Sequence, residues 1–314
     1  MSQIPIWIDC DPGVDDAAAL LLANACPTLK LVGVSTVAGN VNLQTTTGNA
    51  LRLRDLMNAD YPVFAGAAAP MCRPYHDGAE FHGADGLGGV TLPEPGGKPE
   101  ACAAWDGLYA AAEQYDGTLE VVTMGPLTNI AIALSKYPKL SAKIRRILMM
   151  GGAAIGGNRT PCAEYNIFAD PEAAQAVFRS GVPIVMCGLD VTHQTYLLAE
   201  ELEALGKSDS RAARFVCESS RHILQKNLDA GHAGWCVHDA CPIAYLIQPE
   251  CFEAREAGVF VETQAELTLG KTVTDLYSDK KFPVKNTLVV LSADRAAFVK
   301  LLTDALLSYS ISTH

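Results

Sequence analysis

Asp9, Asp11, Asp15 and Asp16 stand close together near the start of the chain, in the run Ile6-Trp7-Ile8-Asp9-Cys10-Asp11-Pro12-Gly13-Val14-Asp15-Asp16. Ile6 to Ile8 read as a buried strand, Pro12-Gly13 as a turn, and Val14 onward as a helix that continues through the apolar run ending at Ala23. All four carboxylates therefore crowd one strand-to-helix turn. A helix dipole stabilises Asp15 and Asp16 by only about 0.3–1 kcal/mol each, and does nothing for Asp9 and Asp11 on the strand side. A hard divalent cation that takes oxygen ligands accounts for the whole set. The competing reading is an acidic helix cap with solvated neighbours.

The elements around this turn alternate. Residues 29–37 read as a strand that ends in Gly39-Asn40, residues 45–57 as a helix, and residues 63–64 as a short strand. Residues 101–114 read as a helix and 119–123 as a strand leading into Met124-Gly125-Pro126, with Pro126 in the first turn of the next helix. Residues 144–150 form a strand ending at Met150, and Asp170-Pro171 caps a helix. A strand over 182–187, a mostly helical stretch over 199–227 broken near Gly206 to Ser210, helices over 240–247 and 296–307, and late strands over 259–263, 271–277 and 287–291 complete the pattern. This order predicts an α/β fold: one domain over residues 1–314, with a Rossmann-like, mainly parallel sheet flanked by helices. Its active site lies at the carboxyl ends of the strands.

Residues 65–99 and 228–237 break the pattern. The first carries five prolines and His82-Gly83 within a glycine-rich run; the second holds His232 and Trp235. Loops of such length are usually functional or disordered. A third irregular stretch carries Asn158, Glu164, Tyr165 and Asn166, and His238-Asp239 opens a helix.

A hydrophobic fraction of 49% against 19% charged residues suits a large core, and the net charge of -11 with no basic run excludes nucleic acid as a partner. No apolar stretch reaches the length of a membrane span, and no leader-like N-terminus is present, so no membrane partner is expected. The 10 cysteines are scattered, as expected for small buried hydrophobes in a reducing compartment, which predicts a soluble, cytoplasmic protein.

The chain resembles the nucleoside hydrolase family, inosine-uridine-preferring type. The resemblance rests on Asp9-Cys10-Asp11-Pro12-Gly13-Val14-Asp15-Asp16, Gly39-Asn40, His82-Gly83, Gly125-Pro126-Leu127-Thr128-Asn129, Ala163-Glu164-Tyr165-Asn166-Ile167 and Val237-His238-Asp239-Ala240. It implies hydrolysis of the N-glycosidic bond of a small-molecule ribonucleoside (a pyrimidine nucleoside, inosine or both) to ribose and free base. It also implies a bound Ca²⁺ ligated by Asp11, Asp16, Asp239 and the Met124 carbonyl. Members of the family often have threonine in place of Met124, a departure of little weight for a carbonyl ligand. Asp11 is implied as general base and His238 as the acid that protonates the leaving base. Asp15, Asn40 and Asn166 are implied at the 2′ and 3′ hydroxyls, Asn158 and Glu164 at the 5′ hydroxyl, and His82 at the base, with Met150 also lining the substrate site. A homodimer or homotetramer follows from the same likeness.

Two other readings compete. A phosphatase of the haloacid dehalogenase type also uses a DxD after its first strand, but follows it with glycine and threonine where this chain has Pro12-Gly13-Val14. A noncatalytic, calcium-dependent nucleoside or ribose binder shares the pocket; retention of Asp11 and His238 argues against it.

Overall fold

The computed structural model describes residues 3–277, 282 and 284–309. Its strands, in chain order, are β1 (Ile4–Cys10), β2 (Leu29–Thr36), β3 (Val63–Ala65), β4 (Leu119–Thr123), β5 (Ile144–Met150), β6 (Ile184–Cys187), β7 (Tyr196–Leu197), β8 (Trp235–Cys236), β9 (Phe252–Val261), β10 (Thr272–Asp275) and β11 (Thr287–Ala293). Nine of them form one sheet in the order β10-β9-β11-β6-β5-β4-β1-β2-β3, and β7 pairs with β8 apart from it. The run from β3 to β11 is parallel throughout. Only β9, antiparallel to β11 and β10, departs from it.

A sheet covered on both faces needs strands that are apolar on both sides. In β1, Ile6, Ile8 and Cys10 enter one core layer and Trp7 the other. Trp7 stacks near Phe64 at 5.0 Å between ring centroids. The helix Val14–Ala25 lies in the first layer, and its residues from Val14 to Ala23 are all buried. It packs against helices Ala240–Ile247 and Arg295–Leu307. The opposite layer holds helices Ala104–Tyr115, Thr128–Lys136 and Pro171–Phe178. No helix among the described residues is long and apolar enough to cross a membrane.

From β1 the chain builds β2 and β3 on one side, then returns to add β4 and β5 on the other. The order reverses between β1 and β4, the place where open α/β sheets bind ligands. Asp11 follows the end of β1 and Met124 the end of β4, so the reversal sets both beside the same crevice.

Several boundaries differ from the sequence reading. Pro126 precedes its helix, which starts at Thr128. Residues 65–99 include a one-turn helix, Ala79–His82, too short to leave a periodic signature. The break near Gly206 to Ser210 is present, between helices Ala199–Gly206 and Arg211–Ser219, and a second break at Ser220 precedes helix Arg221–Asp229. The strand β9 begins seven residues before the expected 259 because Glu253, Arg255 and Glu256 face solvent and mask its β pattern.

Candidate active site

Asp16 shapes the acidic turn. Its Oδ2 accepts the Gly13 amide at 2.9 Å and its Oδ1 the Asp11 amide at 3.3 Å, closing the entry to helix Val14–Ala25. Asp15, Asp16 and Asp239 each offer a carboxylate oxygen, and these oxygens all lie within 4.8 Å of one another. Asp11 and Asp16 are fully buried, Asp239 is 3% and Asp15 5% exposed. Burial raises the pKa of every one, to about 6 for Asp15 and Asp16 and well above the ordinary value for Asp11 and Asp239, with the charge of neighbouring carboxylates adding to the rise at Asp11, Asp16 and Asp239.

Among the described residues no lysine or arginine pairs with any of them. At an effective dielectric of about 20, two carboxylates at such separations repel by roughly 3–4 kcal/mol per pair. Oδ1 of Asp11 and Oδ1 of Asp15 are buried without a hydrogen-bond partner. A buried, all-oxygen donor set with orphaned acceptors and no internal cation fits a hard divalent ion.

Two glycines give the Asp11 carboxylate its space. A Cβ on Gly125 would stand 2.5 Å from Asp11 Oδ1, and one on Gly39 would overlap Oδ2. The Asn40 amide donates to Asp11 Oδ2 at 2.7 Å. The Asn40 side-chain amide donates to the Asp11 carbonyl at 3.2 Å and to Asp16 Oδ2 at 3.1 Å. Its Oδ1 is left for a ligand.

The ends of β4 and β5 meet at Asn166, 6% exposed, whose side chain donates to the Met124 carbonyl at 2.8 Å and the Met150 carbonyl at 3.2 Å. Glu164 caps the helix Tyr165–Ala169. Its carboxylate accepts amides from Asn166 at 2.9 Å, Gly152 at 2.9 Å and Ile167 at 3.2 Å. A carboxylate has about four lone-pair directions, so one is left over. Burial raises Glu164 to about 7 against the backbone amides around it, that of Asn166 first, which pull it down. Asn158 lies on the exposed side of this segment, where its Oδ1 accepts the Tyr165 amide at 2.9 Å. It is the candidate that the fold leaves farthest toward solvent.

His82 is buried against the start of helix Val14–Ala25. Its Nδ1 accepts the Val14 amide at 3.2 Å. The same nitrogen stands 3.8 Å from Asp15 Oδ1, but a nitrogen that accepts an N–H carries no proton, so this is not an ion pair. Burial pushes His82 down to about 4, and the neutral ring keeps its proton on Nε2. His238, half-buried, has Nδ1 2.8 Å from Thr192 Oγ1. Burial, then the neighbouring histidines, lower it to about 3. The His193 ring centroid lies 4.7 Å from that of His232, tilted by 42°, and 5.7 Å from that of His238, edge-on at 67°.

Three participants, Thr192, His193 and Ser35, escaped the sequence reading, and Asn129 entered it only within a motif, without a role. Thr192 and His193 sit in and just after a short helix with no periodic signature, and Ser35 and Asn129 hold Asp9 from two other elements. That last network, extended by Trp7 Nε1 donating to Ser35 Oγ at 2.8 Å, holds Oδ1 of Asp9, while its Oδ2 is buried without a hydrogen-bond partner. Only the register of β1 on β2, which sets Asp9 opposite Ser35, reveals it.

A model of a family described as inosine-uridine preferring nucleoside hydrolase matches residues 6–300. The pyrimidine-specific ribonucleoside hydrolase RihA of Shewanella sp. (strain MR-4) is 45% identical over 309 residues, 98% of this chain and 97% of that protein. RihA of Photobacterium profundum is 42% identical over 97% of this chain and 99% of its own. Among solved structures, a purine-preferring ribonucleoside hydrolase from Gardnerella vaginalis superposes with a TM-score of 0.91 at 31% identity, covering 97% of this chain and 98% of that one. A plant nucleoside hydrolase gives 0.90 at 30% identity, covering 97% of this chain and 99% of its own.

Proposed function

The chain belongs to the inosine-uridine preferring nucleoside hydrolase family, and from that membership we propose that it cleaves pyrimidine ribonucleosides to ribose and free base with a calcium ion in its acidic cluster. The chain is an N-ribosyl hydrolase. The observation that carries the metal reading is the buried group Asp15, Asp16 and Asp239 beside Asp11, with no basic side chain among the described residues to balance it. The preference for pyrimidines is supported by the RihA relatives at 45% identity, against 31% for the purine-preferring structure.

Asp11, Asp16, Asp239 and the Met124 carbonyl would hold the ion. Bound there, calcium supplies positive charge that orients water and ribose hydroxyls and makes the water more acidic. Asp11 takes a proton from water as the water oxygen bonds to C1′ and the C1′–N bond breaks. The cluster's negative charge favours the oxocarbenium-like sugar. Asp15, Asn40 and Asn166 hold the 2′ and 3′ hydroxyls. The spare lone pair of Glu164, with Asn158, serves the 5′ hydroxyl, and Met150 lines the floor. His82 offers its Nε2 proton to the base. His238, neutral in the free site, protonates the departing base as the negative charge growing there raises the ring's affinity for a proton.

A panel of uridine, cytidine, inosine and 2′-deoxyuridine, assayed for free ribose, tests the reading. A pyrimidine ribonucleoside is expected to exceed inosine in kcat/KM by at least about tenfold, the lower range of pocket discrimination. Preference for inosine would overturn the base assignment, and no release from any nucleoside would favour a binding protein. We also propose a cytoplasmic homodimer or homotetramer, supported by the family likeness and the reducing-compartment cysteine usage; light scattering after size exclusion tests the assembly.

A further inference from the structure

Two tyrosine hydroxyls converge on one backbone carbonyl beside the acidic turn. Tyr165 Oη donates to the Gly39 carbonyl at 2.8 Å, and Tyr75 Oη reaches the same oxygen at 3.2 Å. The Gly39 carbonyl and the Asn40 amide belong to one peptide group. The other end of that group donates to Asp11 Oδ2 at 2.7 Å. A continuous path therefore runs from two phenols, through one peptide plane, to the carboxylate assigned as base and metal ligand.

Glycine is required at position 39 because any side chain would overlap Asp11. The same lack of Cβ leaves its backbone conformationally loose. The hydroxyls supply the restraint that the residue itself lacks. A hydrogen bond accepted by the carbonyl also polarises the group and strengthens the one its N–H donates. The Tyr165 hydroxyl lies 3.1 Å from the His76 carbonyl as well, and the Gly78 amide donates to the Asn40 carbonyl at 2.9 Å. Residues 75–82, which carry His82, are thereby fastened to the same turn.

We propose that Tyr165, assisted by Tyr75, is a positioning residue that fixes the peptide plane between Gly39 and Asn40 and so holds the Asp11 carboxylate in its working orientation. The proposal rests on the assignment of Asp11 made above. The bland alternative is that both phenols merely fasten a surface segment.

Tyr165→Phe removes only the hydroxyl. A net hydrogen bond of roughly 1 kcal/mol corresponds to about fivefold. Exchange of the Asn40 amide, followed by NMR in metal-free protein, should quicken by about that factor, and affinity for calcium titrated alone should fall comparably at unchanged thermal stability. The Tyr75→Phe/Tyr165→Phe double variant should lose more than the product of the singles, because each hydroxyl covers in part for the other. Unchanged Asn40 exchange, or faster exchange with unchanged calcium affinity, would overturn the proposal. Should Tyr165→Phe not fold, Tyr75→Phe carries the same two measurements. If the wild-type protein binds no calcium, the assignment of Asp11 fails, and Asn40 exchange alone decides whether the tyrosines hold the plane.

Discussion

Thr192 Oγ1 lies 2.8 Å from His238 Nδ1, and that contact leaves Nε2 as the ring nitrogen free for a ligand. A ring so oriented can protonate a departing base. His238→Ala should slow uridine hydrolysis by roughly 10²–10⁴-fold, the usual range for general acid catalysis. A riboside whose leaving group is already a stable anion, such as p-nitrophenyl riboside, needs no such proton and should keep nearly its full rate. Equal losses on both substrates would remove His238 from that role and reduce it to a support for Asp239.

Asp11→Asn keeps the shape and one oxygen of the side chain but cannot take a proton from water. The expected loss of kcat is at least about 10²-fold, with a near-native circular dichroism spectrum. A folded variant with wild-type turnover would exclude Asp11 as the base.

Stability should depend on calcium and pH together. Burial holds Asp15 and Asp16 at about 6, and Asp9, despite its bonds to Ser35 and Asn129, at about 7. The folded pKa values exceed the unfolded ones near 4. The folded chain therefore binds these protons more tightly, and their contribution to stability is lost as pH rises from about 4 through 7. A cation replaces the protons, so calcium should raise Tm more at pH 7.5 than at pH 5. With calcium at about 100 Kd the gain is on the order of 2.7 kcal/mol, roughly 5 °C here. Scanning calorimetry of dialysed protein checks this, and a calcium shift that shrinks with rising pH contradicts it.

If Asp15, Asn40 and Asn166, all less than 9% exposed, hold the 2′ and 3′ hydroxyls as proposed, the site should select for ribose. A substrate lacking the 2′ hydroxyl leaves such buried groups unpaired, a loss that reaches about 10⁴-fold in comparable sites. Comparable kcat/KM for uridine and 2′-deoxyuridine would refute this sugar pocket.

The parallel sheet was legible in the sequence because its strands are short apolar runs, each followed by a turn, and β1 with its acidic turn stood out most plainly. The acidic cluster was legible in part. Asp15 and Asp16 are adjacent in the chain, whereas Asp239 joins them only through the fold. The sequence also grouped Asp9 with them; Ser35 and Asn129 hold its Oδ1, and its Oδ2 is buried without a partner. Thr192, His193 and Tyr75 left no local signal, and Tyr165 stood in a motif without a role, since their partners lie on distant segments and no spacing rule links them. β9 was shortened because its charged outward face hides an alternation that antiparallel pairing with β11 makes plain.

Gly39 and Gly125 contribute no functional group, yet both leave the room that Asp11 fills. Tolerance to substitution should therefore not follow chemical role. In a saturation library selected for growth on a nucleoside, alanine at either glycine should be depleted as strongly as asparagine at Asp11, whereas Ile155, 77% exposed, should accept several residues. The site is then as exposed to genetic damage through its empty spaces as through its acids.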